Sequence, residues 1–210
     1  MLAKLALAAS AFATVAALPP QAAPAPQSAP AAASGRYDID NLHSAVLFRI
    51  NHLGASSSWG RFNQIKGSLI LDAEKPAESM ITLEIDARSI DTNDEAGVPD
   101  EQKDARDKHL RSVDFFNVEE FPAITFESEK VVPKGGGKFE ITGPMTMHGV
   151  TKSITVTAEY VGTATGAYFG TVAGYDARFT IARADFGMNY APDALGKEIE
   201  VILSLEAKKR

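Results

Sequence analysis

The chain has 210 residues, 45% of them hydrophobic, with a net charge of −6 and no cysteine. Length and composition support one sizeable core and one domain. The acidity excludes an electrostatic footprint for nucleic acid or for anionic membrane surfaces, and the absence of cysteine excludes an acylated lipoprotein anchor.

The first residues differ from the rest. Lys4 is the only charge before Arg36, and Leu5 to Leu18 is a run of small and apolar residues. A positive start, a short apolar stretch and small residues at Val15-Ala16-Ala17 predict a secretory signal peptide over 1–18, too short to span a bilayer of about 30 Å. Residues 19–35 hold five of the eleven prolines. Such Ala/Pro sequence cannot bury enough surface to fold and reads as an extended linker. The folded domain is therefore expected over 36–210, with a net charge of about −7, in the periplasm. The lack of cysteine suits such an oxidising compartment.

From Arg36 onward the hydrophobic period is two, the mark of half-buried strands. Val46, Phe48 and Ile50 alternate with Leu47, Arg49 and Asn51, and Ile81, Leu83 and Ile85 with Thr82, Glu84 and Asp86. Asp100 to Leu110 (DEQKDARDKHL) breaks the rule: charged, free of β-branched residues and preceded by Pro99, it predicts a short exposed helix or a lid-like loop. Leu110, Val113, Phe115 and Phe116 follow as candidates to plug an opening or line a ligand path. Alternation resumes in Ile154, Val156, Ala158, Tyr160, then in Tyr175, Ala177, Phe179, Ile181, and finally in Ile199, Val201, Leu203, Leu205. Lys75-Pro76, Gly135 to Gly137, Gly162 to Gly170 and Ala191 to Asp193 punctuate these runs. Many short strands joined by hairpins make an all-β sandwich or a closed antiparallel barrel.

Catalytic signatures are missing. No GxSxG or HExxH occurs, and Gly135-Gly136-Gly137 lies between strands with no following helix, so it is a hairpin turn and not a phosphate cradle. The four histidines, at 43, 52, 109 and 148, include no i, i+2 pair. No metal or other cofactor is expected, and no enzyme.

Six stretches, in order, resemble the YceI-like family of small secreted bacterial barrels. They are YDIDNLHSAVLFRINH (Tyr37 to His52), Gly60 to Asp72, SIDT (Ser89 to Thr92), HLRSVDFFNVEEFPAITFES (His109 to Ser128), ITGPMTMHGVT (Ile141 to Thr151) and IARADFG (Ile181 to Gly187). The resemblance selects the barrel: an antiparallel, lipocalin-like β-barrel of about eight strands with one short helix or loop insertion. It implies non-covalent binding of a polyisoprenoid or other long-chain lipid, for sequestration or periplasmic transport during envelope stress, and a homodimer as the assembly.

Inward positions and this resemblance nominate Phe48, Phe62, Leu69, Leu83, Phe115, Phe116, Phe126, Met145, Met147 and Phe179 as apolar lining, with methionines able to fit an irregular guest. His43, His148, Arg183 and Asp185 are candidate head-group contacts. Structural hydrogen bonding is the alternative for the histidines, and a buried ion pair for Arg183 and Asp185, which lie two apart and would share a strand face. Alternation leaves open whether the interior is filled or hollow. Two rival readings follow: an enzyme of isoprenoid or quinone metabolism, and a filled barrel whose acidic loop, 94–108, captures a partner.

Overall fold

A computed structural model describes residues 32–93 and 104–210. The expected signal peptide, most of the expected linker and the 94–103 part of the acidic loop lie outside the described residues.

Twelve strands and one α-helix make up the described fold. In chain order they are β1 (Gly35–Ile39), β2 (Ala45–His52), β3 (Ser56–Phe62), β4 (Ile65–Leu71), β5 (Met80–Asp86), β6 (Ile90–Asp91), α1 (Ala105–Arg111), β7 (Ala123–Glu127), β8 (Lys130–Gly135), β9 (Lys138–Met147), β10 (Val150–Gly166), β11 (Gly170–Ala182) and β12 (Leu195–Lys209). Eight of them close a ring in the order β1-β4-β5-β7-β9-β10-β11-β12 and back to β1, every pair antiparallel. The barrel is thus the expected all-β closed architecture.

Closure depends on β12. One of its edges pairs with β11 from Lys208 back to Glu198, while its other edge pairs with β2 near its start and with β1 near its end. At the β2 end the wall continues through the β2–β3 hairpin to β6, and a 3-10 turn at Ala87–Ser89 joins β6 back to β5.

Turn chemistry explains the hairpins. His148 (φ 52°) and Gly149 (φ 72°) form the two-residue turn between β9 and β10, both in the left-handed region that matches the strand twist. The β10–β11 hairpin turns only at 167–169, so Gly162 lies within β10, at a register shift, and not in a loop. Asp104 is left-handed (φ 59°), and helical geometry starts at Ala105.

Gly143 on β9 fills a different need. The link from β7 to β8 crosses directly over it, and a Cβ there would lie 1.9 Å from the Glu127 carbonyl oxygen. Gly143→Ala is expected to force that backbone apart and destabilise the domain by roughly 2 kcal/mol or more. Urea unfolding of the variant checks this; an unchanged midpoint would contradict the crossing.

Candidate functional site

The inward faces of the strands enclose a cavity of about 630 Å³. It is lined along β12 from Leu195 to Leu205, so it is roughly 25 Å long once a tilt of about 40° is allowed for. Every inward set in the alternation lines it, including Ile81, Leu83 and Ile85 on β5 and Ile199, Val201, Leu203 and Leu205 on β12. Many of these side chains point inward yet keep accessible surface. Phe48, Leu83, Phe126, Phe179, Val201 and Leu203 are only half-buried, which a packed interior would not allow. The barrel is hollow.

All ten residues nominated as apolar lining border this space: Phe48, Phe62, Leu69, Leu83, Phe115, Phe116, Phe126, Met145, Met147 and Phe179. Their distribution is uneven. Phe48, Phe62 and Phe116 pack in series, with ring centroids 5.6 and 5.5 Å apart, the first pair tilted and the second edge-on. Val113 does not join them; it is 74% exposed, outside the barrel.

The β2–β3 end is roofed by α1 and two loops. Leu110 of α1 and Phe115 beyond it face the cavity, and the rings of His109, Phe115 and Tyr190 meet at 5.0 to 5.2 Å. Asp107 ties α1 to the wall by accepting hydrogen bonds from the Thr92 amide and hydroxyl. Arg111 donates to the carbonyls of Arg88 and Ile90. His52, Ser58 and Trp59 on the β2–β3 hairpin and Arg106 on α1 form the rim here. Trp59 is half-exposed, with the Arg49 guanidinium 5.5 Å from its ring.

The opposite end is narrowed from within by tyrosines. Tyr37 is fully buried, Tyr160 nearly so, and the small Ala173 and Ala207 make room for them. Tyr175 packs against Tyr160 with ring centroids 5.4 Å apart. Burial raises the pKa of Tyr37 and Tyr175, so both phenols stay protonated at any physiological pH. Asp72, Ala73, Pro76 and Ser79 of the β4–β5 connection form the rim at this end.

The polar candidates are placed differently from expectation. His43 lies in the turn before β2, on the outer surface, with Nδ1 2.9 Å from Asp40 Oδ2 and 3.7 Å from Glu206 Oε1. Glu206 faces outward because Leu205 and Ala207 are turned to the buried side. These three groups bring potential ligand atoms within 4.8 Å of one another, but the ion pairs already account for them. His148 Nδ1 is 2.9 Å from the Phe186 carbonyl oxygen, and its ring packs on Phe121, away from the cavity. Asp185 is exposed. Arg183 and Asp185 do not share a strand face, because Arg183–Phe186 is a 3-10 turn that rotates them apart.

Arg183 does reach the cavity wall, yet its guanidinium is committed. It is 4% exposed and donates to the carbonyls of Gly196 (2.9 Å), Met188 (3.0 Å), Tyr190 (2.7 Å) and Leu195 (3.4 Å). It therefore holds the 187–194 loop over the barrel end and leaves little to offer a head group. Trp59, Tyr160 and Tyr175 escaped nomination; the chain's single tryptophan on a strand, and tyrosines at inward alternating positions, were the signals available.

Arg183→Ala is expected to strand these carbonyls and lower stability by about 3 kcal/mol, read from urea unfolding. A shift under a third of that would mean water replaces the guanidinium.

The Asp40 hydrogen bond and charge hold the His43 pKa above the ordinary imidazole value. Its folded pKa is raised, so the pair's contribution is complete below the ordinary imidazole pKa and fades as pH rises through the raised one. An NMR titration of His43 is expected to show the upward shift, and Asp40→Asn to remove most of it.

A family model described as the YceI-like domain matches residues 37–207. A UPF0312 protein of Pseudomonas aeruginosa is 36% identical over 193 residues, 92% of this chain and 96% of that protein. Among solved structures, Burkholderia cenocepacia BcnA superposes with a TM-score of 0.69 at 21% identity, over 81% of this chain and 99% of BcnA. A polyisoprenoid binding domain from Saccharophagus degradans gives 0.62 at 14% identity, over 83% and 98%. At such identities these two structures establish the shared fold.

Proposed function

The chain belongs to the YceI-like family, and from that premise we propose that it binds one long apolar chain, a polyisoprenoid or related amphiphile, non-covalently inside its barrel. The observation that carries this reading is the cavity itself, hollow along most of the barrel and lined almost wholly by carbon. Its volume falls in the range of ligand sites of about 300 to 1,000 Å³. Left dry and empty, about 630 Å³ would cost on the order of 15 kcal/mol at roughly 24 cal/mol per Å³. That equals the whole net stability of an ordinary domain, so occupation by an apolar guest is the arrangement the interior is built for.

The solved Saccharophagus degradans neighbour is described as polyisoprenoid binding, which supports the same ligand class here. The ionisable side chains that reach the cavity sit at its two ends, and the most buried of them, Arg183, is held by backbone carbonyls. Both points support a binding protein over a catalyst. Sequestration or carriage of the lipid in the periplasm is the role that such a pocket, behind the signal peptide expected from the sequence, would serve.

The test is native mass spectrometry of the domain purified from a bacterial periplasm, with organic extraction of whatever it releases. A stoichiometric isoprenoid or fatty amphiphile is expected. Ala177 lines the cavity midway along β11, between Ala158 and Leu203 on the neighbouring strands. Ala177→Trp should obstruct it at mid-length and sharply weaken capture of a long ligand while the far-UV spectrum is retained. A protein that is ligand-free and refuses added polyprenol would overturn the reading.

A further inference from the structure

Three tyrosines cluster at the Tyr37 end of the barrel, and two of their hydroxyls are spoken for. Tyr37 donates to the Ala33 carbonyl at 2.8 Å, and the Tyr160 hydroxyl is 2.5 Å from Thr163 Oγ1. Tyr175 has ring contacts with Phe139 and Tyr160 but no hydrogen-bond partner among the described residues. No buried side-chain polar atom among those residues lacks a partner, so the Tyr175 hydroxyl is not sealed in packing and meets open space. Tyr175 alternates with the inward Ala177 and Phe179 and lines the cavity.

We propose that the Tyr175 hydroxyl is a hydrogen-bonding subsite for the terminal oxygen of an uncharged long-chain ligand. The proposal rests on the lipid-binding reading above and adds which chemistry the inner terminus carries. Besides Tyr37 and Tyr160, the cluster that holds Tyr175 includes the apolar Leu69, Leu71, Ile81 and Phe139. The charged side chain lining this end is Asp72, an acid. Lys209 turns away: its ammonium donates to the Ser34 carbonyl at 2.8 Å and sits 5.9 Å from the Tyr37 ring centre, outside the cavity lining. The arginines that line the cavity, Arg106 and Arg183, are at the other end. A carboxylate or phosphate brought to Tyr175 would lose its hydration with no cation among the described lining residues at this end to face it. A hydroxyl, amide or quinone-type carbonyl loses far less and gains a phenol donor that burial keeps protonated.

The experiment compares hexadecanol, hexadecane and hexadecanoate on the wild type and on Tyr175→Phe, by competition in native mass spectrometry. The variant keeps the ring and its packing on Tyr160. The wild type should bind the alcohol roughly fivefold more tightly than the variant does, with hexadecane equal on both. Hexadecanoate should bind more weakly than the alcohol at neutral pH. Unchanged alcohol affinity in the variant, or an equal loss for hexadecane, would overturn the subsite while leaving lipid binding in place. A carboxylate preferred over the alcohol, and sensitive to Tyr175→Phe, would overturn the uncharged class. Failure of all three ligands on both proteins would remove the binding reading itself.

Discussion

Fifteen residues of β12 pair on one side with β11 and on the other with β2 and then β1, and this double pairing lets the barrel stand hollow. A sheet with an open edge must cover its unpaired amides or find another strand, whereas a ring satisfies them from within. Because the wall holds itself by backbone hydrogen bonds, the interior need not be packed to capacity. Gly143 and the crossing above it serve the same closure. There β9 passes from pairing with β7 to pairing with β8, and any side chain would pry the wall open at that handover.

The two ends are narrowed by unlike physics. At the β2–β3 end the roof is assembled from loops and α1, which have no ladder of their own and are held by side chains. Arg183 gathers four carbonyls, Arg111 gathers two more, and Asp107 anchors the helix to Thr92. At the Tyr37 end the strands themselves continue, and bulk inside the tube narrows it: tyrosines opposite alanines, Tyr37 and Tyr160 against Ala173 and Ala207. A roof tied by discrete side-chain bonds can open locally at less expense than a plug packed within continuous sheet. On the proposed lipid-binding reading, entry would be by the β2–β3 end, where Trp59 and His52 stand at the rim.

Much of this was legible in the residues. Period-two alternation placed the inward faces of β2, β5, β10, β11 and β12 correctly, because a half-exposed wall must turn alternate side chains to opposite sides. Eight of the ten apolar nominees lie on strands and border the cavity for that reason, while Phe115 and Phe116 border it from the segment after α1. Polar positions were less legible, since a side chain's partner depends on where loops land. His43 faces out because it precedes β2 in a turn, and His148 is drawn to Phe186 across the β9–β10 hairpin. Arg183 and Asp185 looked like strand neighbours, but the chain tightens into a 3-10 turn at Arg183 and separates one inward from one outward.

Hollowness itself leaves a fainter trace, and size along the inward faces explains why. Periodicity reports which side chains face in, not how much of the tube they occupy. Inward positions of β10 and β11 include Ala158, Ala173 and Ala177, residues that reach far less deeply into the tube than Leu or Phe would. At the Tyr37 end the alanine at 173 is answered by tyrosines from neighbouring strands and the space is filled. Midway along the barrel Ala158 and Ala177 are direct neighbours, register partners on β10 and β11, flanked by Phe139 on β9 and Leu203 on β12. Small residues paired across adjacent strands leave a gap that packing on one strand alone cannot disclose. Volume thus becomes readable only once register is known, and register is what the closed ring of strands supplies.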